Sequence, residues 1–295
     1  MTAVRGLGPG ARYMIASAFF FSLMSLQVKL VGERIPSQEI VLARGLVSLA
    51  LSYAMLRRAR VSPWGTHRKL LVLRGVFGFI GLSCFYYAVT AMPLADATVI
   101  QYTSPIWTAL LAALVLAEPI GLLVLAGALA SLVGVALVVR PAAIFGEAAI
   151  EPMVAAVALG GAVVSAAAYV VVRALRDKEH PVVIVFYFPL IAVPASLPAV
   201  AVNFVMPSGI EWLYLLGIGV TTQIAQVSLT RGLALEPAGK AMAITYLQIA
   251  FAALWGVMFF AHVPDVATAA GAALIVAASL AVARWQAGAK PATER

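Results

Sequence analysis

The sequence has one cysteine and three histidines among its 295 residues, and this scarcity excludes several classes of protein. The single cysteine, Cys84, cannot form an intrachain disulfide, and no histidine has a neighbour at metal-binding spacing. No Gly-rich phosphate loop is present, and no set of Ser, His and acidic residues has a catalytic arrangement. The sequence therefore predicts a protein that is not an enzyme, with no catalytic residues, no cofactor and no bound metal.

Charged residues are also scarce, at 11% of the chain, whereas 63% of the residues are hydrophobic. A soluble domain of this length could not bury so much apolar sequence. Apolar runs close to the roughly 20 residues needed to cross a bilayer recur along the chain, without the alternating strand pattern of a membrane barrel. Lipid offers an open backbone no hydrogen-bond partner, so we predict helices and an all-α membrane protein. The predicted spans, five in each half, are 11–31, 37–56, 70–91, 97–117, 121–139, 153–174, 182–202, 212–230, 240–260 and 266–284.

An internal repeat joins the two halves, because residues 93–138 recur at 237–282 with a constant offset of 144 and no gap. The matches least expected by chance are Pro93 with Pro237, Tyr102 with Tyr246 and Gly127 with Gly271. Five spans is an odd number, so the second half enters the membrane from the opposite side. We therefore predict two inverted five-helix repeats around a central cavity, covering 1–145 and 146–295 within one integral membrane domain.

Lysine and arginine concentrate in alternate connecting segments, which predicts that both termini are cytoplasmic. This bias and contact with anionic lipid account for the net charge of +8. No basic patch is interleaved with aromatic residues, so nucleic acid is not an expected partner. The expected partners are a small-molecule substrate and membrane lipid, and we expect a monomer.

No Asp or Glu lies in the middle of a predicted span. A proton-coupled exporter of lipophilic cations generally needs such a carboxylate, so its absence disfavours that class and favours facilitated export down a gradient. Arg44 is the only cation placed deep in a predicted span, and a basic pair for a sugar phosphate is therefore not predicted. We expect Lys29 and Arg173 to extend from helix ends toward the membrane surface.

Several short motifs around the third and fourth spans are distinctive. They are Phe85-Tyr86-Tyr87-Ala88, Met92-Pro93-Leu94-Ala95-Asp96-Ala97, Ser104-Pro105 and Ala117-Glu118-Pro119. These motifs resemble the EamA family of the drug/metabolite transporter superfamily. The resemblance implies ten helices in two five-helix repeats, and its bacterial amino-acid exporter branch, which includes aromatic and neutral amino-acid exporters, is the closest in character. Other members move nucleotide sugars, phosphorylated sugars or S-adenosylmethionine.

Polar side chains at membrane depth are the candidate substrate ligands, because they are costly there unless they face a cavity or a partner. Glutamine amides both donate and accept, which suits a substrate with amino and carboxyl groups. Hydrogen bonding between packed helices is the alternative role for each residue. The candidates are Tyr102, Gln226 and Tyr246 first, and then Gln101, Gln223, Gln248, Tyr86 and Tyr169.

Pro105 in span four aligns with Ile249 in span nine, so the repeat is unequal at mid-membrane. Proline removes a backbone donor and bends a helix, which predicts different geometry in the two halves. Pro105 is a candidate gating residue, and a purely structural kink is the alternative.

The sequence as a whole predicts a secondary transporter of the inner membrane that exports amino acids or related small metabolites by alternating access. The alternative is a transporter of another metabolite, such as S-adenosylmethionine, a nucleotide or sugar derivative, or a drug. A membrane enzyme or lipid-handling protein is a weaker alternative.

Overall fold

The computed structural model describes residues 7–31, 34–92, 94–139, 151–260 and 266–285. This part of the chain folds into twelve helices and contains no strand. The first half supplies α1 (Pro9–Val31), α2 (Ser37–Ala59), α3 (Arg68–Ala91), α4 (Leu94–Gln101), α5 (Ser104–Leu116) and α6 (Leu122–Val139). The second half supplies α7 (Pro152–Ala174), α8 (Pro181–Val202), α9 (Gly209–Leu235), α10 (Ala238–Thr245), α11 (Leu247–Phe260) and α12 (Val266–Trp285).

Eight stretches of the described chain are helical, long and apolar enough to cross a membrane. Six of them belong to α1, α2, α7, α8, α9 and α12, and the other two, Ala97–Leu116 and Ala238–Phe259, each join two consecutive helices. The run in α6 is shorter, at Leu122–Val138, and α3 is not among the eight. The protein is therefore an all-helical, multi-pass membrane protein, as the composition predicts.

The most extensive contacts between helices follow the internal repeat. They join α1 to α9, α3 to α7, α6 to α12 and α2 to α8. Exchanging the two halves maps α1 onto α7 and α9 onto α3, so the first two contacts are equivalent. The other two contacts each join a helix to its own counterpart. The same sequence pattern thus makes the same interface twice, and every one of these contacts crosses between the halves.

Close approach of backbones holds the α6–α12 pair. A Cβ added at Gly134 would lie 2.7 Å from the carbonyl oxygen of Gly271, and one added at Gly271 would lie 2.7 Å from that of Gly134. Small residues allow such contact, and packing of this kind drives helix association where lipid is as apolar as the side chains.

One face of the bundle, the face that the charge bias predicts to be cytoplasmic, is joined by polar contacts between connecting segments. Glu179, in the link from α7 to α8, accepts hydrogen bonds from the backbone N–H groups of Thr66 and His67. Burial raises the pKa of Glu179, but these bonds outweigh that effect and hold its pKa below the ordinary value. Tyr187 of α8 adds a bond from its hydroxyl to the carbonyl of Trp64, 2.8 Å away. The α2–α3 link is therefore tied to the second half.

Candidate functional site

Spans four and nine are each broken near their middle. α4 ends at Gln101 and α5 begins at Ser104, while α10 ends at Thr245 and α11 begins at Leu247. Near each break, a threonine hydroxyl donates a hydrogen bond to a backbone carbonyl. Thr103 donates to the Ile100 carbonyl at 2.6 Å, and Thr245 donates to the Met242 carbonyl at 2.6 Å. Broken helices at mid-membrane are the usual location of substrate sites in transporters with internal repeats.

Pro105 lies in the first turn of α5 and is buried. This position suits proline, because an N–H at the start of a helix has no intrahelical partner. Span nine breaks at the matching position with Ile249 in place of the proline, so a break does not require Pro105. The break in span four leaves out two residues and the break in span nine leaves out one. A gating role for Pro105 stays a prediction.

The repeat-related tyrosines meet where the two breaks come together. The rings of Tyr102 and Tyr246 have centroids 6.0 Å apart, and the Tyr246 hydroxyl donates to the Tyr102 carbonyl at 2.8 Å. That carbonyl lies at the break, where the N–H of Ile106 bonds to Thr103 instead. Tyr246 is 0% exposed, whereas Tyr102 is half-buried. Tyr246 thus supplies the break with a hydrogen bond, and Tyr102 has the more accessible ring.

Replacing Tyr246 with phenylalanine tests this structural role. The change removes the donor and leaves a buried carbonyl unpaired, so we expect the free energy of unfolding to fall by about 1 kcal/mol. Chemical unfolding in detergent measures the change, with Tyr53→Phe as the control because Tyr53 is 49% exposed. Unchanged stability together with weakened substrate binding would instead make Tyr246 a ligand.

Gln101 and Tyr169 join this centre from α4 and α7. Gln101 Nε2 donates to the hydroxyl of Ser165 at 3.4 Å, which links the end of α4 to α7. Tyr169 lies one helical turn after Ser165 on α7, close enough to Tyr102 for the two side chains to interact electrostatically. Tyr169 is also within electrostatic range of the guanidinium groups of Arg74 and Arg44. The structure therefore brings three of the predicted site residues, Gln101, Tyr102 and Tyr169, into one region.

The two glutamines of α9 have different surroundings. Gln223 is 3% exposed and donates through Nε2 to the Ser52 hydroxyl at 2.8 Å. Gln226 accepts from Arg74 Nη2 at 3.3 Å. Both line a small cleft between α2, α8 and α9, which Arg44 and Phe188 also line.

Arg74 is the functional candidate that sequence analysis missed. It is 4% exposed, and its Cζ lies 5.0 Å from the centroid of the Phe188 ring. Arg44 lies on the same ring at 5.7 Å. The prediction of a single deep cation is therefore wrong. The available signal was the span predicted to begin at residue 70, which already contained Arg74.

The remaining sequence predictions concern Gln248, Tyr86, Arg173 and Lys29. Gln248 is half-buried in the first turn of α11. The side chain of Tyr86 lies outside the described part of the structure. Arg173 does not extend to the surface as expected, since it is 7% exposed and bonds to Glu118 Oε1 at 2.6 Å. Lys29 is exposed, as expected for a helix-end lysine.

Comparison with known proteins gives a consistent result. A family model described as "EamA-like transporter family" matches residues 8–140 and again 152–284, so the two matches are also 144 residues apart. The pseudopaline exporter CntI of Pseudomonas aeruginosa is 36% identical over 283 residues, which cover 96% of this chain and 98% of that protein. Solute carrier family 35 member G1 of Homo sapiens is 30% identical over 294 residues, covering 94% and 80%.

A solved structure shows the same fold. It superposes on this chain with a TM-score of 0.83 at 22% sequence identity, covering 94% of this chain and 97% of its own.

Proposed function

The chain belongs to the EamA-like transporter family, and we propose that it exports amino acids or related small metabolites across the inner membrane by alternating access. The proposed architecture is ten spans in two inverted five-span repeats, at 1–145 and 146–295, with both termini in the cytoplasm. The chain acts as a membrane transporter and not as an enzyme, in keeping with its family.

The observation that carries the proposal is the meeting of two broken spans at Tyr102 and Tyr246. Breaks in two spans at mid-membrane are the usual location of substrate sites in transporters with internal repeats. Gln101 and Tyr169 lie in this region, and Gln226 is linked to it through Arg74, which interacts with both Gln226 and Tyr169. These groups form the proposed substrate site, together with Tyr102.

The contacts between helices support alternating access. Equivalent interfaces, α1–α9 and α3–α7, each join the two halves, so a movement at one interface can be repeated at the other. At the predicted cytoplasmic face, Glu118 binds both Arg173 and the backbone N–H of Ala238. The proposal is that this contact closes that face and that the inward-facing conformation requires it to open. Pro105, at the start of α5, is the proposed gating residue that transmits that movement.

Export as the direction is supported by the relative named as a pseudopaline exporter, which matches this chain along nearly its whole length. No described acidic side chain lies beside the proposed site, so facilitated export down a gradient is the proposed mode. The second candidate is transport of another metabolite class, because family membership constrains the fold more than the substrate.

A flux assay with the full chain in proteoliposomes tests the function. Labelled neutral, aromatic, acidic and basic amino acids are compared with S-adenosylmethionine, a nucleotide sugar and a lipophilic cation. Efflux of amino acids above that from empty vesicles is expected. Flux restricted to the other compounds would move the chain to the second candidate class, and a chemical change in the solute would indicate an enzyme.

Variants of the site sharpen this assay. Tyr102→Ala and Gln226→Ala are each expected to reduce initial efflux by about tenfold, which corresponds to the loss of about 1.4 kcal/mol of interaction. Tyr53→Ala is the control, because Tyr53 is exposed on α2 and distant in sequence from both breaks. Unchanged kinetics in a well-folded variant would remove that residue from the site.

A further inference from the structure

Two arginines from the first half converge on one aromatic ring of the second half. The Cζ atoms of Arg44 and Arg74 lie 5.7 Å and 5.0 Å from the ring centroid of Phe188. Gln226 accepts from Arg74, and positions 44 and 188 are separated by the same 144 residues as the two tyrosines. We call Arg44, Arg74, Phe188 and Gln226 the arginine site.

The positive charge of this site has no counter-charge among the described residues. Arg74 is 4% exposed and its Nε has no hydrogen-bond partner in the described part of the chain. The other buried cations of that part are paired, Arg173 with Glu118 at 2.6 Å and Lys240 with Glu236 at 2.9 Å. A buried, uncompensated cation is expensive at membrane depth, so its retention indicates a functional anion partner.

Further unpaired polar atoms border the same cleft. The hydroxyls of Ser48 and Thr222 and the Oε1 atom of Gln223 are buried without a hydrogen-bond partner among the described residues. Buried polar groups are nearly always satisfied, so a group of them beside two arginines indicates a polar ligand. The hydroxyls can donate to an oxyanion, while Gln223 Oε1 can accept only from an N–H or O–H group.

We propose that the arginine site binds an oxyanion of the transported solute, and that the solute carries more acidic than amino groups. This inference rests on the proposed transport function. A neutral amino acid supplies one carboxylate but also one ammonium group, and so leaves the two guanidinium charges uncompensated. A solute with a second acidic group reduces that charge, and its N–H group has an acceptor in Gln223 Oε1. The fork of arginine donors matches carboxylate and phosphate geometry alike.

Thermal unfolding of the purified full chain in detergent tests the site without requiring the natural solute. The probes are L-glutamate, its neutral amide L-glutamine, citrate and glycerol 3-phosphate, each at matched ionic strength. We expect the anions to raise the unfolding midpoint and L-glutamine to leave it unchanged. Stabilisation by glycerol 3-phosphate alone would assign the oxyanion to a phosphate, and stabilisation by the carboxylates alone to a carboxylate. Stabilisation by none of the anions, or equally by glutamine, overturns the proposal.

Variants assign the effect to the two arginines. Arg44→Gln and Arg74→Gln are each expected to raise the apparent Kd of the stabilising anion at least about tenfold. Arg74→Lys keeps the charge but loses the fork, so a smaller loss is expected. Arg57→Gln is the matched control, since Arg57 is exposed near the end of α2. If Arg74→Gln does not fold, half-buried Arg44 provides the same measurement. Anion binding at the wild-type level in these variants contradicts the proposal.

The proteoliposome assay separates this inference from the proposed function. If the protein binds anions through both arginines but exports no compound of the panel, the arginine site is supported and the export function is contradicted. If the protein exports neutral amino acids while L-glutamate is neither transported nor competes, the export function is supported and the inference about the arginine site is contradicted.

Discussion

Gly134→Leu should lower the free energy of unfolding by at least about 3 kcal/mol, the upper part of the range for an overpacked interface. A Cβ at this position would lie 2.7 Å from the carbonyl oxygen of Gly271, a backbone atom that cannot rotate away. The α6 and α12 helices would have to separate, and the dispersion contacts of the whole interface would be lost with them. Gly271→Leu should act similarly, since its Cβ would meet the Gly134 carbonyl oxygen at 2.7 Å.

Unfolding of the purified variants by denaturant in detergent measures this effect. Gly160→Leu is the matched control, because a Cβ at Gly160 has no neighbour within 4 Å and the residue is exposed on α7. We expect that control to be neutral or slightly stabilising, since leucine favours a helix over glycine by less than about 1 kcal/mol. Equal loss in Gly160→Leu and Gly134→Leu would show that the backbone contact is not the cause.

The sequence predicts the class of the protein from its average hydrophobicity. It predicts the equivalence of the two halves from the constant spacing of 144 residues between matching positions. The 144-residue repeat aligns Tyr102 with Tyr246, and these two residues contact each other in the structure. Residues equivalent under a two-fold exchange come together when they lie near its axis. A repeat match between two polar residues therefore indicates contact where the pair lies near that axis.

Helix breaks were harder to predict. Pro105 marks the start of α5, but the equivalent helix, α11, begins at Leu247 without a proline. Local propensity therefore identifies only one of the two breaks. The other follows from packing, because Tyr246 must reach the Tyr102 carbonyl across the interface. A contact between residues so far apart in sequence leaves no local pattern.

Buried cations were the largest error of sequence analysis. Arg74 and Arg173 both lie within two turns of a helix end, where the usual expectation is a side chain that extends to the membrane surface. Whether it does depends on which helices pack alongside. Arg173 meets Glu118 from the α5–α6 link, and Arg74 meets Gln226 of α9, so both are enclosed by distant parts of the chain.

Glu118→Gln should be the most damaging single change at the predicted cytoplasmic face. Glu118 accepts from Arg173 Nε at 2.6 Å and from the N–H of Ala238 at 2.8 Å, at the start of α10. Arg173 also donates to the carbonyls of Leu233 and Ala234, at 2.8 and 2.9 Å, at the end of α9. Removing the carboxylate charge leaves a buried guanidinium uncompensated, which costs about 3–5 kcal/mol.

Two comparisons identify uncompensated charge as the cause of that loss. Arg176→Gln removes a partner of Glu118 that is 38% exposed and 3.6 Å away, so we expect a change below about 1 kcal/mol. The double variant Glu118→Leu with Arg173→Met removes both charges, and it should regain most of the stability lost in Glu118→Gln. The measurement is again unfolding in detergent, and a double variant as unstable as Glu118→Gln would assign the loss to the missing hydrogen bonds of α9 and α10. Under the proposed alternating-access mechanism, in which this contact closes one face, a folded Glu118→Gln protein should also favour the inward-facing conformation. Increased accessibility of introduced cysteines at that face would detect it.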